Sequence, residues 1–109
     1  MDIKINGKEL ILQNDKKIVF NYQIKNVEML NDRVVILLKT PFNNNAIDSI
    51  IAISLEGRLI WKIKNPDYIK LPYEKMSIKN GIILATDFYG NQLCINSYNG
   101  NVIKWDFVN

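Results

Sequence analysis

Apolar and polar positions alternate along most of this chain in short runs rich in β-branched and aromatic residues, each broken by a turn dipeptide. The pattern predicts strands at 2–5, 8–13, 17–25, 26–31, 33–39, 47–54, 59–64, 75–79, 82–86, 92–97 and 101–107. Ile18, Phe20, Tyr22 and Ile24 alternate with Val19, Asn21, Gln23 and Lys25, the period of two expected of a strand with one buried face. Val34 to Leu38 is apolar at every position, which predicts a central strand covered on both faces. Asn6-Gly7, Asn80-Gly81 and Asn99-Gly100 supply the positive φ angles of short hairpin turns, and Asn31-Asp32 and Gly90-Asn91 add further turns. No segment shows helical periodicity.

A strand, turn, strand unit recurs three times and ends each time on an aromatic residue: Leu10 to Phe20, Ile51 to Trp61 and Leu93 to Trp105. With Asn14-Asp15, Glu56-Gly57 and Asn99-Gly100 as turns, the spacings Asp15 to Gly57 and Gly57 to Gly100 are 42 and 43 residues. That is close to the length of a four-stranded propeller blade. The chain divides into a hairpin at 1–25, a blade-like unit at 26–64, a connection at 65–75 and a second blade-like unit at 76–109. Closing a propeller takes about four or more blades. The expected architecture is therefore a single all-β domain, an antiparallel meander of about ten short strands forming a sandwich or a partly rolled sheet that must protect its edges.

Composition narrows the function classes. At 109 residues the chain supports one modest core, with no room for separate catalytic and substrate domains. Its longest apolar runs, Val34 to Leu38 and Ile50 to Ile53, fall far short of the roughly 18–20 residues of a membrane span. The start, Met-Asp-Ile-Lys-Ile-Asn-Gly, lacks the basic-then-apolar pattern of a secretory signal, and a cytoplasmic location is expected. Cys94, the single cysteine, lies between Leu93 and Ile95 in an apolar strand pattern and reads as a structural thiol. There is no histidine, which removes the commonest general acid or base near neutral pH and the commonest transition-metal ligand. The net charge of +3 is spread along the chain, whereas non-specific nucleic-acid binding needs a clustered basic face. Folding could gather Lys16, Lys17, Arg58, Lys62, Lys64 and Lys104 into a patch, but nucleic acid is not the expected partner.

Candidate chemistry is sparse. The carboxylates occupy positions that turns favour, and no glycine pair has the spacing of a phosphate loop, dinucleotide fingerprint or serine elbow. Asp87, before Phe88-Tyr89-Gly90-Asn91, resembles the start of a calcium loop but lacks oxygen ligands at alternating positions and a closing glutamate. No catalytic residue, metal site or cofactor is predicted. Trp61 and Trp105 could be stacking platforms, but their place in a repeated hairpin, with Phe20 in the first copy, points to a packing anchor. Two segments are longer than turns require: the polar 40–46, carrying Phe42, and 65–75, carrying Asp67, Tyr68, Tyr73 and Glu74. Phe42, Tyr68, Tyr73 and Tyr89, with Asp67, Glu74 and Asp87, form the predicted partner-binding set, since amphipathic aromatics dominate protein contact surfaces. The alternative for part of that set is that Ile69, Leu71 and Tyr73 fold back to cover the open end of the sheet.

From Val27 to Phe107 the chain resembles small bacterial proteins often encoded beside polymorphic or contact-dependent growth-inhibition toxins. The resemblance rests on the apolar strand from Arg33, the Asn-rich loop after it, the hairpin Ile51 to Ile63, the Pro/Tyr connection, and Tyr89-Gly90 before Ile95 to Ile103. The hairpins are also similar to those of quinoprotein-type propeller repeats. The resemblance implies an immunity protein that binds a cognate toxin domain, for example a nuclease, and occludes its active site. Nuclease inhibitors are often acidic, whereas this chain is net basic, so either the toxin is of another kind or a local patch such as Asp67, Tyr68, Tyr73, Glu74 and Asp87 does the binding. The competing expectation is an interaction or self-assembly module that pairs through exposed sheet edges.

Overall fold

A computed structural model of the chain describes residues 3–13, 15–39, 49–63, 73–88 and 90–107, the last four by their backbone alone. Among these residues there are eleven strands in three antiparallel sheets. The first sheet holds β1 (Lys4–Asn6), β2 (Glu9–Ile11) and β3 (Lys17–Val19), the second β4 (Ile24–Met29), β5 (Arg33–Leu38), β6 (Ile50–Ser54) and β7 (Leu59–Lys62). The third holds β8 (Tyr73–Lys79), β9 (Ile82–Asp87), β10 (Asn91–Asn96) and β11 (Val102–Phe107), and every sheet is a plain meander. In the first unit the strands predicted at 2–5, 8–13 and 17–25 form a three-stranded meander rather than a simple hairpin, because Lys4 to Asn6 pairs with Glu9 to Ile11 across Gly7.

The sheets stack as three layers with the second in the middle, and the alternation of side chains dictates this. On one face of the second sheet Val34, Ile36, Leu38, Ile51 and Ile53 pack with Leu10 and Leu12 of the first unit. On its other face Val35, Leu37, Ile50, Ala52, Trp61 and Ile63 pack with Tyr73, Met76, Ile83, Ala85, Leu93 and Ile95 of the third sheet. A strand serving two cores must be apolar at successive positions, and all six residues of β5 are buried. The run 18–25 keeps its predicted alternation of half-buried and exposed positions, but it is not one strand. β3 ends at Val19 and β4 begins at Ile24, and between them the chain crosses from the first sheet to the second. Hydrogen bonds from Phe20 N to Lys8 O, from Ile24 N to Gly7 O and from Lys39 N to Gln23 O fix the crossing.

The repeat is structural as well as sequential. Asp15 N donates to Leu12 O and Gly57 N to Ser54 O across three residues, and Gly100 N donates to Asn96 O across four, so each unit closes its turn by a backbone bond, with one residue more in the third. All three of these turn residues have positive φ. The second and third sheets also share two β-bulges. One lies in the first strand, at Lys25 and at Glu74, and one in the last strand, at Ile60 and at Ile103. Matching Arg33↔Ser54 with Ile82↔Asn96, the first pair of each central ladder, aligns Ala52 with Cys94. Trp61 pairs with Ala52, and the residue paired with Cys94 is Lys104. Trp105 pairs with Leu93. The two tryptophans therefore do not share a register position, and the expected three-fold aromatic anchor is corrected: the equivalent of Trp61 in the first sheet is Ile18, opposite Leu10.

Ile18 and Trp61 each dock on the turn glycine of the next sheet. A Cβ added to Gly57 would stand 2.9 Å from Ile18 Cδ1, and one added to Gly100 would stand 2.6 Å from Trp61 Cε3. Trp61 is a packed residue, and its Nε1 donates to Ser97 O at 2.8 Å. Arg33 closes the same junction. Its Nη1 donates to Ser97 O and Tyr98 O, both at 3.1 Å, its Nε and Nη2 reach the two oxygens of Asp32 at 2.9 Å, and its guanidinium lies 4.8 Å from the Tyr98 ring centre. The β10–β11 turn is thus clamped to the second sheet by one indole and one guanidinium.

The hydrogen-bonded Arg33 guanidinium holds the Asp32 carboxyl below its usual value of 3.8. The contribution of this pairing is fully present above that value and is lost as pH falls through the lower, folded one. We expect the gap in urea midpoint between the wild type and Asp32→Asn to be open at pH 6 and to shrink as the pH is taken below 4. A gap independent of pH would show that ionisation of Asp32 is not linked to folding.

Candidate functional site: a bulge-lined groove on the third sheet

Comparing the sheets position by position shows where the third departs from the second. Val35, Leu37, Ile50 and Ala52 line the core-forming face of the second sheet, and their register equivalents on the third are Leu84, Thr86, Gln92 and Cys94. Two of the four have become polar, so this outer face suits water or a polar partner better than a further apolar layer. The first sheet shows the same change on its own outer face, where Lys4, Asn6 and Glu9 are polar at the register positions of Val34, Ile36 and Ile51.

An open groove of about 550 Å³ runs over that outer face and the neighbouring strand edges. Its floor is Leu84, Thr86, Gln92 and Ser77, and its walls are Glu74, Lys75 and Met76 of β8 with Lys25 and Asn26 of β4. Lys75, Thr86 and Gln92 stand in one cross-strand row, and Ser77 and Leu84 in the next. Both first-strand bulges open onto it. A bulge re-aims the side chain of its extra residue, and the extra residues here are Lys25 and Glu74.

Asn26 ties the two walls together. Its Nδ2 donates to Met76 O at 2.8 Å and its Oδ1 accepts from Val27 N at 2.9 Å, so the amide stands in for a peptide unit between the edges of β4 and β8. Lys25 Nζ lies 5.0 Å from the centre of the Phe88 ring, which is 44% exposed beside the groove. The groove thus combines two ammonium groups, hydroxyl and amide donors, one carboxylate, a small apolar floor and a rim aromatic.

Of the predicted binding residues, Glu74 lines the groove and is exposed. Tyr73 is corrected to a core residue: as the first residue of β8 it is 1% exposed and packs between the second and third sheets. Asp87 is also corrected, being 1% exposed. Its Oδ1 accepts from Asn91 N and its Oδ2 from Asn91 Nδ2, both at 2.8 Å, which holds the β9–β10 turn. Phe42, Asp67, Tyr68 and Tyr89 lie outside the described residues, as do the loop 40–46 and most of the connection 65–75. β8 begins at Tyr73, two residues before the predicted strand.

Sequence reasoning missed Lys25, Asn26, Lys75, Thr86, Gln92 and Phe88. Aligning the two full units by strand pair rather than by turn would have exposed Thr86 and Gln92 as polar residues where the second unit has Leu37 and Ile50. Among the described residues no group of three or more potential metal ligands occurs, and no helix is long and apolar enough to cross a membrane.

A family model covers residues 1–107, and its description is a domain of unknown function, DUF7957. The chain belongs to the DUF7957 family. No curated protein matches it. The matched span takes in all three sheets of this DUF7957 chain, so the stacked unit as a whole is what the family model covers.

Proposed function

We propose that this DUF7957 protein is a non-catalytic protein-binding inhibitor of the immunity type, which works in the cytoplasm by holding a cognate toxin domain and covering its active site. The observation that carries the protein-binding part is the groove. It is open, spans strands of two sheets, and is lined mainly by hydrogen-bonding groups around a small apolar floor. Small-molecule sites are typically concave and mostly apolar, whereas a wet, mixed surface beside an exposed aromatic matches the make-up of protein interfaces. The toxin as partner is supported by the resemblance of the hairpins and connections to immunity proteins encoded beside toxins.

Self-association through sheet edges is opposed at the β8 edge, where the Asn26 amide already occupies the carbonyl of Met76. The test is co-purification of the protein with the product of the neighbouring toxin gene, followed by an assay of that product with and without its partner. Formation of a complex that silences the toxin is the expected result. An active, unbound toxin at equimolar protein would overturn the proposal.

A further inference from the structure

The chemistry of the groove specifies its occupant more closely, on the reading that the protein binds another protein. Lys25 and Lys75 bring positive charge, and Ser77, Thr86 and Gln92 bring hydroxyl and amide donors, against one obligate acceptor side chain, Glu74. Asn26 has both amide atoms engaged within the wall. The site therefore offers more donors than acceptors and more positive than negative charge, and it is completed by an occupant rich in acceptors and negative charge. Leu84 supplies an apolar patch on the floor, which an inorganic anion would leave uncovered but a peptide side chain would cover, while Met76 meets the groove through its backbone and keeps its side chain in the core.

We propose that the groove takes an extended, carboxylate-bearing segment of the partner protein, with an aliphatic side chain over Leu84 and carboxylates at Lys25 and Lys75. Alternation in such a segment matches the floor: successive side chains of an extended peptide point to opposite sides, so every second residue can face the sheet. Phe88 holds Lys25 at the rim by a cation–π contact, which reduces the entropy lost when the ammonium engages a carboxylate. Nucleic acid fits less well. Glu74 adds a negative charge to the lining, and among the described residues the aromatic at the rim, Phe88, is engaged by Lys25, while no aromatic lines the floor for a base to stack on.

The experiment titrates the intact, isotopically labelled protein with an octapeptide of alternating Glu and Leu, and with the same peptide bearing Gln for Glu. Amide shifts at Ser77, Leu84, Thr86 and Gln92 are expected with the Glu peptide, and affinity should fall at least about tenfold for the Gln peptide and for the Lys25→Glu, Lys75→Glu variant. Both lysines are exposed on the groove wall, so the variant should fold, and its dispersed spectrum checks this. Equal affinity for the two peptides, shifts confined to another face, or displacement of the Glu peptide by an equal concentration of single-stranded oligonucleotide would each overturn the assignment. So would self-association at the same concentrations that the variant abolishes, because a second copy would then be the occupant. The same variant mixed with the toxin domain separates the two proposals. A toxin that still binds tightly to it removes the groove assignment while leaving the inhibitor reading intact; a toxin that binds neither protein removes the reading itself.

Discussion

Replacement of Gly100 by alanine is expected to destabilise the protein by about 2–5 kcal/mol, the combined cost of a left-handed backbone for an L-residue and of overpacking a closed contact. Gly100 has φ +76°, and a Cβ there would meet Trp61 Cε3 and Cδ2 at 2.6 and 2.7 Å. The indole cannot retreat cheaply, because it is 7% exposed and bonded through Nε1 to Ser97 O. Gly7→Ala is the control: φ is +63° but nothing lies within 4 Å of the added carbon, so only the backbone cost of about 1–2 kcal/mol is expected. For a domain of this size each kcal/mol lowers Tm by about 4–8 °C, which thermal denaturation resolves. The Trp61→Ala change should also cost less in the Gly100→Ala background than in the wild type, since the two residues share one contact. Equal losses for the two glycine variants would show that the indole does not dock on the turn as described.

Truncation of Tyr73 and of its neighbour Glu74 should separate folding from binding. Tyr73→Ala removes one of the largest fully buried side chains, at the seam between the second and third sheets, and losses of about 3–5 kcal/mol are typical for buried aromatics. Glu74, one residue on, is the bulged and exposed wall residue of the groove, and Glu74→Ala should change stability by no more than about 0.5 kcal/mol. Urea denaturation reads the first effect and affinity for the partner reads the second. A Tyr73→Ala protein of unchanged stability that no longer binds its partner would return Tyr73 to the contact surface.

Strand number, the three recurring turns and the doubly covered β5 were legible in the sequence, because each depends on local periodicity or on residues able to take positive φ. The division of 17–25 between two sheets was not legible, since a chain crossing between layers keeps the same alternation as a continuous strand. The tryptophans misled for a related reason. Trp61 lies four residues after Gly57 and Trp105 five after Gly100, and because the last strand of each full sheet carries its bulge at the same place, that one-residue difference puts the tryptophans at different register positions. The groove was the least visible feature. It depends on bulges in β4 and β8 and on the approach of two edges some fifty residues apart, |i−j| = 50 for Asn26 and Met76, which no local pattern encodes. Burial of Tyr73 likewise follows from layer stacking, whereas an aromatic beside prolines in a long connection looks exposed when read alone.

The two central strands of the middle sheet have no face of their own to offer water, and this governs how the molecule can come apart. Peeling away either outer layer strips the cover from one side of β5 and β6, whose residues are almost wholly buried. Loss of the third sheet would uncover Val35, Leu37, Ile50 and Ala52, and loss of the first would uncover Val34, Ile36 and Ile51. Partial opening is therefore nearly as costly as complete unfolding, and the amides of β5 should exchange with solvent only through global opening. For a small protein facing cellular proteases, such all-or-none behaviour keeps nicked, half-folded forms scarce, and turnover then follows the overall folding equilibrium rather than the weakest layer.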